Sequence, residues 1–241
     1  MCGIVGYYGD FTPRLLSRMN DIQAHRGPDA SGVYYAEDAP VALGHRRLSI
    51  IDLSPAGAQP MRDAKNKCVI TFNGEIYNYR ELRQGLIRDG FSFNSNSDTE
   101  ILLNLYLRDG ERMLTLLNGI FAFAIFDTRD KSLFLARDGF GVKPLYYSTT
   151  PKGFLFASEL KALLLEPTLD RQISHEALHY YLSYSWAPSP WTMLREVRKL
   201  EPGRSMTVKD GRITDSRTFY SIPVKTGEIR CNEAEAIQMV H

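Results

Sequence analysis

The second residue is a cysteine, directly behind the initiator methionine. A small second residue permits removal of Met1. The trimmed chain would carry a thiol and a free α-amine on Cys2. That amine has a pKa of roughly 7.7–8. It can serve as base for its own side chain, by the logic of a threonine activated by an amino terminus. A cysteine also falls at position 2 by chance, and alone it decides nothing. Three polar segments bear on it. His25-Arg-Gly-Pro-Asp29, running on to Gly32, is too rich in turn formers for a helix. Arg46-Arg-Leu-Ser-Ile-Ile-Asp52 ends a strand with paired arginines. Asn73-Gly-Glu-Ile-Tyr-Asn78 follows the apolar strand Val69 to Phe72. An Asn-Gly step at a strand end can aim a side-chain amide and a backbone N–H at one point, as an oxyanion hole requires. Each segment by itself also reads as an ordinary polar loop.

A different constellation suggests a metal. His175-Glu-Ala-Leu-His179 fits the H-E-x-x-H pattern of zinc-protease helices. Both histidines would share a helix face. Ser174, however, is the expected N-cap, which puts His175 in the first turn. No third histidine follows Tyr180, and Glu196 and Glu201 lie beyond a break at Pro188 and Pro190. No metal site is expected.

Reactive groups need rigid elements to hold them, and the first 165 residues are dense in strand-like runs. These are Gly3 to Tyr8, Ser31 to Ala36, Val41 to Arg46 and Cys68 to Phe72. Ile120 to Phe126 and Leu133 to Ala136 read as neighbours joined at Thr128 to Lys131. Tyr146 to Ser148 and Phe154 to Ala157 read as a hairpin turning at Pro151 to Gly153. Gly139 to Tyr147 reads as a strand whose Gly139 and Gly141 permit close packing. Helical spacing marks Leu15, Leu16, Met19 and Ile22 behind Pro13, then Leu82, Leu86 and Ile87 within Arg80 to Asp89. Ser97 and Glu100 form a capping-box pair. Strands with helices in separate blocks predict two stacked sheets with helices outside them, not a doubly wound parallel sheet. After Glu166-Pro167 the character changes. A helix is expected at Ser174 to Tyr184, a hairpin at Arg204 to Val208 and Arg212 to Thr214, and a helix start at Asn232 to His241. The expected division is one domain over 1–165, then a linker helix, a hairpin and the truncated start of a second unit over 166–241.

The chain has 241 residues, one to two domains at roughly 150 each. Its 44% hydrophobic and 24% charged residues support a sizeable core and exclude wholesale disorder. Lysine plus arginine, 29, nearly balances aspartate plus glutamate, 28, so nothing advertises nucleic acid or a basic partner. The longest apolar tract, Met113 to Phe126, falls short of the roughly 18 residues of a membrane span. There is no basic leader with a cleavage pattern. Cys2, Cys68 and Cys231 are too few and scattered for a disulfide framework, and the last two read as inert. A reduced, cytoplasmic protein is expected.

Taken in order, Met1-Cys-Gly-Ile-Val-Gly6, His25-Arg-Gly-Pro-Asp29, Arg47-Leu-Ser-Ile-Ile-Asp52, Asn73-Gly-Glu-Ile-Tyr-Asn78, Ser97-Asp-Thr-Glu100 and Arg137-Asp-Gly-Phe-Gly-Val-Lys-Pro-Leu-Tyr-Tyr147 resemble the glutaminase domain of glutamine-hydrolysing asparagine synthetases. That is a class II glutamine amidotransferase domain, and the likeness covers residue 1 to about 220. It implies an α+β, four-layer αββα sandwich of two antiparallel sheets, the N-terminal-nucleophile hydrolase fold. It implies that Cys2 attacks the side-chain amide of glutamine and releases ammonia. Asn73 and the Gly74 N–H would hold the oxyanion, and Arg47 the substrate α-carboxylate. Glu75 and Asp98 would bind the α-ammonium, and the backbone of Leu48, Ser49, Ile50 and Ile51 would line the pocket. Asp98 also reads simply as a helix-start acid. The glutaminase half needs no cofactor. ATP and Mg²⁺ are expected only in a synthetase domain, whose Ser-Gly-Gly-x-Asp-Ser loop is absent here. The expected partners are glutamine and a synthetase domain or subunit, and a homodimer is compatible. The alternatives are a glutaminase feeding another acceptor and a non-catalytic interaction module of the same fold.

Overall fold

The computed structural model describes residues 1–223, with Asn232 and Glu235 beyond them. In β1 (Gly3–Gly9), β3 (Val41–Arg47) and β5 (Cys68–Ile76) almost every residue is buried. Strands buried at both odd and even positions have both faces covered. Two six-stranded antiparallel sheets achieve this. The first runs β10 (Val197–Lys199), β8 (Tyr146–Thr150), β9 (Gly153–Ala157), β1, β3, β2 (Ala30–Tyr35). The second runs β12 (Arg212–Thr218), β11 (Arg204–Lys209), β7 (Ser132–Arg137), β6 (Gly119–Asp127), β5, β4 (Met61–Arg62).

Ile4, Tyr8, Leu43, Val69, Phe126 and Phe156 share the core between the sheets. The other face of the first sheet packs Val5 and Tyr7 on Leu16 and Met19 of α1 (Pro13–Asp21) and Leu163 of α4 (Leu160–Leu163). The other face of the second packs Ile70 and Phe72 on Leu86 of α2 (Tyr79–Arg88) and Leu102 of α3 (Asp98–Asp109). This is the expected α+β, four-layer αββα sandwich.

Local chemistry explains most boundaries. Thr12 caps α1 by accepting from Leu15 N–H, with Pro13 at its first position. Ser174 caps α5 (His175–Tyr184) by accepting from Ala177 N–H. Ser97 caps α3 on Thr99 N–H, but the capping box does not close. Glu100 reaches further back, to the N–H groups of Asn94 and Ser95 at 2.8 and 2.7 Å, because Ser95 Oγ already accepts from Ser97 N–H. Ile22 and Ile87, expected on apolar helix faces, are exposed.

Three expectations need correction. The Asn73-Gly74 step is not at a strand end: β6 is long enough to pair β5 through Ile76. The segment 139–145 is not strand but a loop wound around Asp138, and β8 starts at Tyr146. The fully buried Asp138 carboxylate accepts from the N–H groups of Phe121, Phe140, Val142 and Lys143. Gly141 sits at φ +66°, where a side chain would also meet Arg137 and Pro202. Finally, the described residues after 165 do not form a separate unit. β10 pairs with β8 and β11 with β7, so both sheets draw strands from beyond residue 165. The helix expected at 232–241 lies outside the described residues, apart from Asn232 and Glu235, as does Cys231.

Asp138→Ala would leave those buried donors without an acceptor. It should lower unfolding free energy by about 3 kcal/mol, read from the denaturant midpoint, while Asp138→Asn should cost less. A change below 0.5 kcal/mol would refute this account of the loop.

Candidate active site

Residues two apart on a strand share a face. Toward one end of the sandwich the inter-sheet layer turns polar along three strands at once. Ile4 is preceded by Cys2, Leu43 is followed by His45 and Arg47, and Val69 by Thr71, Asn73 and Glu75. There a cleft of about 220 Å³ opens, lined by Cys2, Arg47, Asn73, Gly74, Glu75 and Asp98. Alternation also sorts the paired arginines. Arg46 turns out to α1, donating to Asn20 O and Asp21, while Arg47 turns in.

Cys2 Sγ lies against the Leu48 peptide groups, accepting from the N–H at 3.4 Å and facing the C=O at 3.7 Å. Its own carbonyl accepts from Arg26 Nε at 2.9 Å, and Arg26 pairs with Glu159 at 3.1 Å. Burial pushes the thiol pKa up; the Leu48 N–H, the terminal ammonium, Arg47 and Lys143 pull it down by less. The resting sulfur is therefore a thiol that needs a base.

Asn73 is 1% exposed, and its Nδ2 has no hydrogen-bond partner among the described residues. The Gly74 N–H follows from strand geometry. Phe121, opposite Gly74, turns its N–H and C=O to Asp138. The Gly74–Phe121 pair thus exchanges no ladder bonds, and Gly74 presents its N–H at the other edge of β5. There β4 covers only Val69 and Ile70. Phe72 N–H instead donates to Gln59 Oε1 at 2.7 Å and Ile76 N–H to Asp98 Oδ2 at 3.1 Å. Gly74, between them, faces the cleft. A Cβ there would lie 2.3 Å from Ile120 O, so the position requires glycine.

The cleft also carries charges. Arg47 is held by the carbonyls of Ser54, at 3.0 Å, and Asp52. Asp98 is 4% exposed at the start of α3. Burial, with nearby Glu75 adding to it, raises its pKa to about 6 against the bonds from Ile76 and Thr99 N–H. Glu75 is exposed at the rim.

A profile of the glutamine amidotransferase domain matches residues 1–220. The chain belongs to this family. Asparagine synthetase [glutamine-hydrolyzing] 1 of Bacillus subtilis is 43% identical over 239 residues, 95% of this chain and 37% of the relative. A putative asparagine synthetase [glutamine-hydrolyzing] 2 of Methanocaldococcus jannaschii is 34% identical over 91% of this chain and 46% of its own length. The chain thus spans less than half of these relatives. In structure, the glutamine phosphoribosylpyrophosphate amidotransferase of B. subtilis aligns with a TM-score of 0.68 at 22% identity, covering 90% of this chain and 49% of that one. That likeness establishes the N-terminal-nucleophile hydrolase fold.

Within the amidotransferase domain, most expected site residues meet in one cleft. Ser49 does not: its N–H turns away to Asp29 Oδ2 at 2.8 Å, while Leu48, Ile50 and Ile51 line the cleft. Arg26 donates directly to the Cys2 carbonyl, and His25 is joined to Arg26 through Glu159. Gln59, Thr99 and Lys143 also line the cleft and were not expected. Lys143 lay inside the segment Arg137 to Tyr147, whose glycines suggested packing alone. Gln59 carries no local signal; its role comes from the missing partner strand. His175 and His179 fall in the first turns of α5, away from the cleft, and no group of three metal-type side chains forms among the described residues. No helix among the described residues is long and apolar enough to cross a membrane.

Asp98 gives a signed test of the electrostatics. A folded pKa of about 6, above the ordinary 3.8, means the folded chain holds this proton more tightly. The stability it contributes is full at low pH and is lost as pH rises through about 6. Asp98→Asn should therefore stabilise the domain by on the order of 2 kcal/mol at about pH 8 and change little near pH 4. Denaturant melts at both pH values check it; an equal effect at both would refute the ionisation argument.

Proposed function

We propose that this domain hydrolyses glutamine to glutamate and ammonia. The observation that carries this is the convergence of Cys2 with Asn73 Nδ2, which has no partner among the described residues, and with the Gly74 N–H, which strand pairing turns away from β6. Glutamine binds by its head group, its carboxylate to Arg47 and its ammonium to Asp98 and Glu75. An ammonium beside Asp98 favours the ionised carboxylate and so offsets its burial. With Met1 removed, the Cys2 amine takes the thiol proton as sulfur attacks the amide carbon. The C=O π electrons move to oxygen, and the oxyanion lies against Asn73 and Gly74. The C–N bond then breaks, the amine returns a proton to the departing nitrogen, and ammonia leaves a γ-glutamyl thioester. Water attacks the thioester by the same path and releases glutamate. Hydrolysis needs no metal or organic cofactor. The ammonia would pass to a synthetase domain or subunit that uses ATP and Mg²⁺ to amidate aspartate, in the cytoplasm. The asparagine-synthetase relatives, which extend well beyond this chain, support that acceptor.

In the untrimmed chain Met1 lines the cleft and its peptide bond occupies the Cys2 nitrogen. Met1-trimmed protein should therefore release glutamate without ATP, and homogeneous Met1-retaining protein should not. Trimmed activity should fall as pH drops below the amine pKa of roughly 7.7–8. Equal activity from the two forms would exclude the amine as base.

The roles also separate kinetically. Arg47→Ala and Asp98→Asn should mainly raise KM, since the head group is unchanged through the reaction. Asn73→Ala should lower kcat roughly 10²–10³-fold, with residual turnover from Gly74 N–H. Steady-state kinetics on trimmed variants check both, and a normal kcat in Asn73→Ala would put that side chain in the wrong role.

A further inference from the structure

The strand that carries both oxyanion donors is secured by an unusual device. Beyond β4 the edge of β5 has no partner strand among the described residues, and the Phe72 peptide groups are held by side chains instead. Phe72 N–H donates to Gln59 Oε1, whose amide nitrogen donates in turn to Thr99 Oγ1 at 3.1 Å. Phe72 C=O accepts from His45 Nε2 at 3.0 Å. His45 comes from the opposite sheet. It is fully buried, and its Nδ1 has no partner among the described residues. Since its Nε2 faces a carbonyl, that nitrogen carries the proton. Burial keeps the ring neutral, with its pKa pushed down to about 4.

Two hydrogen bonds join β3 to β5 here, Thr71 Oγ1 to Gly44 O at 3.1 Å and His45 to Phe72. The strand on the β3 side leads to Arg47 and to Leu48, whose peptide groups face the nucleophile. The strand on the β5 side leads to Asn73 and Gly74. The His45–Phe72 bond is the last tie before the two strands diverge around the cleft, and it fixes the carbonyl of the peptide that leads into Asn73.

We propose that His45 is a positioning residue for oxyanion stabilisation: by holding the Phe72 carbonyl it sets where Asn73 Nδ2 and Gly74 N–H stand relative to Cys2 Sγ. The proposal rests on the amidotransferase chemistry assigned to the cleft. A neutral imidazole suits the task, because it spans the gap between sheets without placing a second cation beside Arg47.

The test uses the 241-residue chain after removal of Met1, with His45→Leu, His45→Gln and His45→Asn. His45→Leu should lower kcat roughly 10–100-fold, the scale of a small misplacement of catalytic groups. KM for glutamine should stay within about twofold, because head-group binding is untouched. Alkylation of Cys2 by iodoacetamide, which needs no oxyanion hole, should keep its rate. His45→Gln can present an amide donor near the Nε2 position and should recover most of kcat. In ¹H–¹⁵N spectra the Gly74 amide and Asn73 side-chain signals should move in His45→Leu and return in His45→Gln. Wild-type kcat in folded His45→Leu, or a loss confined to KM, overturns the proposal. Should His45→Leu fail to fold, the Gln and Asn variants decide, since the shorter amide does not reach; equal kcat in the two overturns it. A wild-type chain that releases no glutamate defeats the functional reading instead. The spectra then decide, and unmoved Gly74 and Asn73 signals overturn the positioning role.

Discussion

A strand edge with no partner strand among the described residues is the constraint on which this site depends. Every backbone N–H buried in protein seeks an acceptor, and antiparallel pairing satisfies only alternate residues on each side. β5 is paired along its whole length by β6, but on its other edge β4 ends after two residues. The groups left over there are Phe72, Gly74 and Ile76. Side chains take the outer two, Gln59 and His45 at Phe72 and Asp98 at Ile76. The N–H between them is left for something that enters the cleft. A longer β4 would pair Gly74 and extinguish the site while improving the sheet.

The same trade appears in the charged residues. Asp98 is buried next to another acid, and its raised pKa records the cost. Asn73 keeps a donor dry and unpaired, which costs about 1–3 kcal/mol in an ordinary core. Neither arrangement improves the free fold. Under the proposed function both would become favourable, once a ligand brings an ammonium and a developing oxyanion to the cleft. The fold tolerates the cost because three separate apolar cores, between the sheets and on each outer face, are built almost entirely from residues that do not line the cleft, Phe72 excepted.

Strands long enough to alternate were legible in the residues, as were helix starts at Pro13 and Ser174. Two strands of two and three residues, β4 and β10, carry too little periodicity to be seen. The span of the sandwich was misjudged because β10 and β11 find their partners in β8 and β7, about fifty and seventy positions back in the chain, and local pattern holds no trace of such pairing. The cleft residues Cys2, Arg47, Asn73 and Asp98 were read from motif order. What held them was not: Gln59 and His45 act on backbone atoms of Phe72, and Asp138 on four N–H groups of its own loop and of β6. Supports of this kind have no fixed spacing, because the geometry they satisfy belongs to the fold.

The thiol electrostatics leave the activation of Cys2 to something other than the charges around it. Arg47, Lys143 and the Leu48 N–H all favour a thiolate, yet burial outweighs them and the Cys2 pKa stays above its ordinary value. Cationic surroundings of this strength do not by themselves make the nucleophile. They also should not, since a standing thiolate would meet oxidants and metals before substrate. The α-amine proposed as base on the same residue would resolve the conflict. It is about as close to the sulfur as covalent structure allows, its protonation changes near neutral pH, and one peptide bond to Met1 abolishes it. On this reading the fold supplies a shaped, dry and mostly committed site, and the last element of reactivity is added by cutting a bond that the fold leaves exposed at Met1.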